Sequence, residues 1–460
     1  MKKDLSKSLK IFYGIGDLLF TLMSSIEGYF FTFFLTNLAM FPLATVAFIT
    51  TVASTIDACI SWVYGAILNS VKPMKYGRYR SWLILLPWTV PFIYAFQFMK
   101  IGDGTISIVI IIVATVVSHM LWNIGYVANV SMISVAAKTP EDRSQLAATR
   151  GAWSNVAKVI FAYVVVPAAT LFAGIVGEVN KYAAAAFVFG IIMAVGYFIH
   201  FKMFDGYEET GAEEMAKPKA DQAKTSVGDL AKTLFTNVPL LMLILADLSR
   251  WMFNFVLAGI AIYYFKYVAQ APALYSTYIM IVNLIGVVGA YTGKFWANKL
   301  STRTAVIMNF IIMTVALVIC KFAWATLGPI GVIVLLCIGQ YGYGANYSLI
   351  PALFADCVVY GEWKTGKNAS GWIMGLQNLP LKVAIVTRGI IISACLAAAN
   401  FDAKINPADA TQALKDGIAN GFFLIPAIAT LISVLLLVFG FKLTKEKVLL
   451  YQSEINSRKN

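Results

Sequence analysis

Seven ionisable side chains stand near the middle of long apolar stretches: Glu27, Asp57, Lys158, Asp247, Arg250, Lys382 and Arg388. Asp17 and Arg150 lie nearer the ends of such stretches, and His119 and Asn123 share one helix face at i, i+4 spacing. If these stretches lie in lipid, a charge at the bilayer centre costs about 2.5–3.5 kcal/mol on insertion scales, so a charge that persists there usually faces a cavity and works in it. Asp247 and Arg250, three residues apart, read first as a structural pair that neutralises itself. Arg388 is open to the same reading with a neighbouring helix. Glu27, Asp57, Arg150 and Lys382 belong to four different stretches, which favours convergence on one cavity over separate structural roles.

Membrane spans must position these groups. The chain has 460 residues, 59% hydrophobic and 13% charged, against roughly 45–50% and about 25% in soluble domains. Its mean hydropathy of +0.75 excludes an ordinary soluble fold. With about 20 apolar residues needed per crossing, twelve spans are predicted: 11–38, 42–70, 80–100, 105–137, 144–175, 182–204, 234–268, 273–297, 303–325, 328–358, 370–398 and 416–443. The longer ones imply tilt or helix beyond the lipid. Basic residues gather in alternate loops: Lys2 to Lys10, Lys72 to Arg80, Lys138 and Arg143, Lys217 to Lys224, Lys299 and Arg303, Lys364 and Lys367, and Lys445 to Lys459. The intervening loops are nearly free of basic residues apart from Lys100, Lys181, Lys404 and Lys415. Excess Lys and Arg mark cytoplasmic loops, so both termini are expected in the cytoplasm of a multi-pass cell-membrane protein. The basic N-terminal MKKDLSKSLK has no A-x-A-like site after it, so the first span is expected to be retained.

One long polar interruption, 205–232, divides an N-terminal bundle (1–204) from a C-terminal bundle and tail (233–460). Two six-helix halves point to a duplicated carrier with its site near the midplane. The linker charges read as a solvated face rather than a regulatory segment. The net charge of +13 lies in loops between spans, so nucleic acid is not an expected partner. Cys59, Cys320, Cys337, Cys357 and Cys395 form no CxxC pair, and neither a disulfide framework nor a metal or other cofactor is indicated. His119 and His200 fall on different spans, and no HExxH, GxSxG or Walker motif occurs, so the reading is not an enzyme and not an ATP-driven pump. Phe30, Phe31, Phe33 and Phe34 read as packing or lipid-facing residues. Tyr341 and Tyr343 beside Gly342 and Gly344 serve either solute contact or close helix approach.

Four stretches carry a resemblance. Tyr13-Gly14-Ile15-Gly16-Asp17 opens the first span. Asp57 on the second is followed by Met74-Lys75-Tyr76-Gly77-Arg78-Tyr79-Arg80-Ser81-Trp82. Lys138 to Arg143 precede Arg150. Ala355 to Lys367, ADCVVYGEWKTGK, follows the tenth span. Together they resemble the glycoside–pentoside–hexuronide:cation symporters, the melibiose-permease-like branch of the major facilitator superfamily. The resemblance implies an all-α membrane protein of twelve transmembrane helices in two pseudo-symmetric six-helix bundles. It also implies alternating access for a small polar solute, in symport. Independently of that name, Arg78, Arg80 and Lys364 in basic loops can latch to acidic helix ends such as Asp356 and Glu362, making a cytoplasmic gate. Basic loops that serve topology alone are the competing explanation.

Against the family pattern, three of four expected cation ligands are altered. Asp57 is kept, but the later helix positions are Ile60 and Ser61, and the expected threonine of the fourth span is Met120. A degraded Na+ site follows. Asp57, with Ser61 beside it, remains open to H+ coupling, since a buried carboxylate can hold a proton; uniport is equally open. The two sugar-binding aspartates are replaced by Thr21 and Asn123, and a stacking tryptophan by Val127, whereas Arg150 and Lys382 match retained bases and Asn378 fills a polar position one turn earlier. Lys158 adds positive charge and Glu27 offsets part of it. The resulting cavity suits a hexuronide or another anionic sugar derivative, with a neutral glycoside as the family default. An organic-anion uniporter or exchanger and a non-transporting membrane sensor are the alternatives. A monomer is expected.

Overall fold

A computed structural model describes residues 5–61, 64, 68, 74–102, 104–136, 140–208, 236–366, 373 and 376–459. The expected sites at Lys138, Lys367 and the linker lysines fall outside the described residues, as do the side chains of Ser61 and Arg143. The chain divides into two compact units, Met1–Ala220 and Asp221–Asn460.

Unit 1 contains α1 (Lys7–Phe12), α2 (Ile15–Phe33), α3 (Leu43–Ser61), α4 (Trp82–Leu85), α5 (Val90–Gln97), α6 (Thr105–Ala136), α7 (Pro140–Val176) and α8 (Lys181–Met203). Unit 2 contains α9 (Val238–Tyr263), α10 (Leu274–Leu300), α11 (Thr302–Thr365), α12 (Asn378–Ala398), α13 (Gln412–Ala419), α14 (Ile425–Leu435) and α15 (Lys445–Lys459). Helix starts follow cap chemistry. Ser6, Asn237, Ser301 and Thr411 each accept a bond from a backbone N–H three residues on, satisfying a donor the helix leaves open.

Two expected spans differ in form from a plain helix. The third is split into α4 and α5 around Leu86–Thr89, where Pro87 has no N–H to continue the ladder and Pro91 sits in the first turn of α5. The ninth and tenth are drawn out as one 64-residue helix, α11. At 1.5 Å per residue it would run about three times the roughly 30 Å of a bilayer core. Non-helical backbone at Gly328 (φ 63°, ψ 179°) breaks it between the two expected spans. Among the described residues nine helices are long and apolar enough to cross a membrane, or ten if a bent pair within 149–176 is one span. The fused α11, the split third span and the bend in the fifth account for the shortfall from twelve.

In unit 1, α2 packs against α7 and α8, α5 against α6 and α8, and α3 against α6. In unit 2, α9 packs against α12 and α14, α10 lies along α11, and α15 packs on α11. The α10–α11 contact depends on small residues: a Cβ on Gly344 would collide with the backbone oxygen of Gly286.

A local repeat supports the duplication expected from the linker. The first long helix of each unit ends in a π-helical turn, Phe34–Leu38 and Tyr264–Val268. Each turn is followed by a residue at positive φ, Met40 (59°) and Gln270 (50°). Matching bonds close both turns: Ala39 N–H to Phe34 C=O and Ala269 N–H to Tyr264 C=O, each 2.8 Å. The separation relating Phe34 to Tyr264 also relates Asp17 to Asp247.

Candidate functional site

Three helices of unit 1 bring three titratable side chains together. Glu27 is on α2, Asp57 on α3 and His119 on α6, all buried. His119 Nε2 is 2.6 Å from Glu27 Oε2, and its Nδ1 is 3.7 Å from Asp57 Oδ2. Asp57 Oδ1 accepts from Tyr64 Oη (3.0 Å) and from Asn123 Nδ2 (3.3 Å). Asn123 reaches Asp57 because it lies one turn beyond His119 on the same face of α6. The His119 ring stacks on Trp122 (4.5 Å between centroids), which packs against Tyr94. Tyr94 Oη accepts from the Glu27 backbone N–H and donates to the Met23 carbonyl, both at 3.1 Å. A side chain thus inserts at one rung of α2, at the residue that carries the carboxylate. Lys158 is half-buried on α7 and Thr21 is half-buried on α2.

A second network lies nearer the start of α2. Arg150 Nε donates to both Asp17 oxygens at 2.9 Å and Nη2 to Oδ1 at 2.5 Å. Asn129 Nδ2 donates to Asp17 Oδ2 (3.3 Å), and Asn129 Oδ1 is 2.7 Å from His200 Nδ1. The Gly16 N–H donates to His200 Nε2 at 3.1 Å. Since Nε2 accepts, Nδ1 carries the proton and donates to Asn129, so every member has a partner. The Tyr13-Gly14-Ile15-Gly16-Asp17 stretch now has a physical account. Tyr13 donates to the Asn129 carbonyl (2.9 Å) and stacks on His200, and Asp17 takes Arg150. At Gly16, a Cβ would stand 2.8 Å from the His200 ring.

The basic-loop motifs are tied down within their own units. The backbone N–H groups of Tyr79 and Arg80 donate to the Glu208 carboxylate at 2.9 and 2.8 Å. Arg80 Nη1 pairs with Asp205 (2.7 Å), and its Nε donates to the Phe201 carbonyl (2.8 Å). Arg78 is half-buried beside it. In unit 2, Lys364 Nζ donates to the Thr236 carbonyl (2.8 Å), and the Glu362 carbonyl accepts the Gly366 N–H that closes α11. Trp363 stacks on Tyr451 of α15 (4.2 Å), and Arg458 donates to the Trp363 carbonyl. Asp356 is half-buried about two turns before Trp363.

Also in unit 2, Arg250 Nε donates to Asp247 Oδ1 at 2.5 Å, with both residues buried. Three rings surround this guanidinium: Trp251 at 4.4 Å, Tyr343 and Tyr347 each at 5.4 Å. Lys382 is half-buried on α12, one turn after the exposed Asn378.

Of the four charges expected to converge, Glu27 and Asp57 do so through His119, while the bonds of Arg150 go to Asp17. The role of His119 as the bridge, and those of Tyr64, Tyr94, Asn129 and His200, were missed in the sequence. The one available signal was the i, i+4 spacing of His119 and Asn123.

A family model described as MFS/sugar transport protein matches residues 12–445. The chain belongs to that family. This MFS/sugar transport family is the glycoside–pentoside–hexuronide group to which the motifs pointed. The chain is therefore a multi-pass membrane transporter and not an enzyme. It is 28% identical to the putative sulfoquinovose importer of Escherichia coli (strain K12), over 98% of this chain and 94% of the relative. It is 23% identical to the isoprimeverose transporter of Lactiplantibacillus pentosus, over 93% and 87%. Among solved structures, a bacterial homolog of the human lysosomal transporter Spinster superposes with a TM-score of 0.67 at 11% identity, covering 94% of this chain and 95% of that one. That likeness shows the major facilitator fold and no more.

Proposed function

We propose that this member of the MFS/sugar transport family moves a glycoside, hexuronide or related sugar derivative by alternating access, coupled to protons through Glu27, His119 and Asp57. One observation carries the coupling: His119 stands between two buried carboxylates from different helices. A neutral imidazole has one N–H, so it donates to one neighbour only; satisfying the other side needs a further proton on the ring or on a carboxyl group. The proton count therefore changes how α2, α3 and α6 are joined, which is the linkage a coupled carrier requires.

The same geometry argues against Na+. Two donors already occupy Asp57 Oδ1, and Ile60 and Met120 offer no ligand oxygen. The substrate contacts in this reading are Thr21, Asn123 and Lys158 in unit 1 and Asn378 and Lys382 in unit 2, with Ser61 accompanying Asp57; Arg150, bonded to Asp17, holds α7 against α2 beside them. Arg78, Arg80, Asp356, Glu362 and Lys364 form the gate, and the basic-loop pattern puts that face and both termini in the cytoplasm.

Purified protein in liposomes tests the coupling. An imposed inward proton gradient is expected to raise uptake of a sulfonated hexose or a hexuronate, and a Na+ gradient at constant pH to leave it unchanged. Strong stimulation by Na+, with none by protons, would refute the assignment.

A further inference from the structure

The Asp247–Arg250 pair is left unfinished. A carboxylate can take an arginine through two parallel N–H bonds, yet here the recorded bond is Nε to Oδ1, and Arg250 Nη1 is buried with no hydrogen-bond partner. The neighbouring Trp251 Nε1 is likewise buried and unpartnered. Two orphaned N–H donors, one of them charged, lie on adjacent residues whose groups are already stacked at 4.4 Å. An unsatisfied buried donor is costly, and native proteins keep few of them. Both need the same thing, an oxygen acceptor, and beside a guanidinium the acceptor favoured is an anionic one.

The surroundings narrow the ligand further. Trp251 stacks on Phe255 at 5.8 Å, and the Arg388 guanidinium lies 5.4 Å from the Phe255 ring. Two arginines thus bracket a pair of aromatic faces. Trp251, Phe255 and Arg388 are all half-buried, and Tyr347, whose ring lies 5.4 Å from the Arg250 guanidinium, is 48% exposed. Arginines at this depth fit a polar passage rather than lipid. Flat rings suit the apolar faces of a sugar, and the guanidinium suits an acidic substituent on it.

We infer that Arg250 and Trp251 form a subsite in unit 2 for the sulfonate or carboxylate group of a sugar derivative, with Phe255 and Tyr347 against its ring. The inference rests on the reading of the chain as a carrier of sugar derivatives, and it adds the charge of the substrate and the residues that read it.

Titration calorimetry on the purified full-length protein tests it with three probes: a sulfonated hexose, a hexuronate and the parent neutral hexose. The wild type is expected to bind at least one of the anionic probes tenfold or more tightly than the neutral hexose. The double variant Asp247→Asn/Arg250→Gln removes both charges together, leaving neither stranded, and is expected to lose that preference while neutral-hexose affinity changes less than twofold. Trp251→Phe keeps a ring and deletes the N–H, so anion affinity should fall severalfold with neutral affinity unchanged; it gives the same readout if the double variant does not fold. A wild type without preference, or either folded variant that retains the full preference, overturns the subsite and leaves sugar transport standing. If the wild type binds none of the probes, and none of them exchanges in counterflow, the sugar-carrier reading fails and the subsite goes with it.

Discussion

Each unit buries an aspartate in its first long helix, Asp17 in α2 and Asp247 in α9, and the local repeat makes the two positions equivalent. Their partners differ. Asp17 takes Arg150 from α7 through Nε and Nη2, and Asn129 and His200 extend the network to α6 and α8. Asp247 takes Arg250 from one turn along its own helix, through one recorded bond, and leaves Nη1 unpaired. A pair that ties two helices together through several bonds behaves as structure. A pair held within one helix, with an open donor among aromatic rings, spends little on packing and keeps capacity for a ligand. Sequence spacing pointed to the first kind of role for Asp247 and Arg250; the missing acceptor is what turns the reading toward the second.

The sharpest way to break that contrast is Asp17→Ala. It strands the Arg150 charge inside unit 1, where losing one partner of a buried pair costs about 3–5 kcal/mol. Thermal unfolding in detergent should show a large drop in midpoint or little folded protein. Asp247→Asn/Arg250→Gln removes both partners and should cost under about 1.5 kcal/mol in the same measurement. Equal losses in the two variants would erase the distinction between a structural and an open pair.

Gly16→Ala probes the same network sterically. Its Cβ would press on the His200 ring at 2.8 Å, and overpacking of this kind costs about 1–3 kcal/mol. An unchanged unfolding midpoint would mean that the ring gives way freely and the network is less rigid than its bonds imply.

His119→Asn separates coupling from binding in unit 1. Accumulation driven by a pH gradient should fall about tenfold, equivalent to roughly 1.4 kcal/mol, while counterflow with equal internal and external pH stays within twofold. Full pH-driven accumulation in this variant would remove His119 from the coupling step. The smallest effect expected is that of Glu208→Gln. It keeps an acceptor for the Tyr79 and Arg80 N–H groups but weakens charge-assisted bonds, by about 1 kcal/mol. Hydrogen exchange at those two amides should rise modestly, with the unfolding midpoint nearly unmoved.

Much of this was legible in the residues. The apolar stretches located the spans, and the Tyr13-Gly14-Ile15-Gly16-Asp17 and Arg78-to-Trp82 stretches marked places where structure later showed dense bonding. Other features were not legible. A run of apolar residues does not reveal that Pro87 splits the third span, nor that the ninth and tenth run together as far as the bend at Gly328. Nor could the contact of His119 with Glu27, 92 residues earlier in the chain, be read from a pattern whose reach is one helical turn.

The sequence by itself determined that the chain is a membrane-spanning helical carrier of this family. Hydropathy depends on composition along the chain, and the motif residues sit at fixed local spacing. Only the tertiary structure decided which buried charge meets which. Helical periodicity settles the face on which a side chain lies, not the helix that packs against it. Whether a donor such as Arg250 Nη1 or Trp251 Nε1 is satisfied depends on every neighbour being in place, and those neighbours come from parts of the chain far from α9.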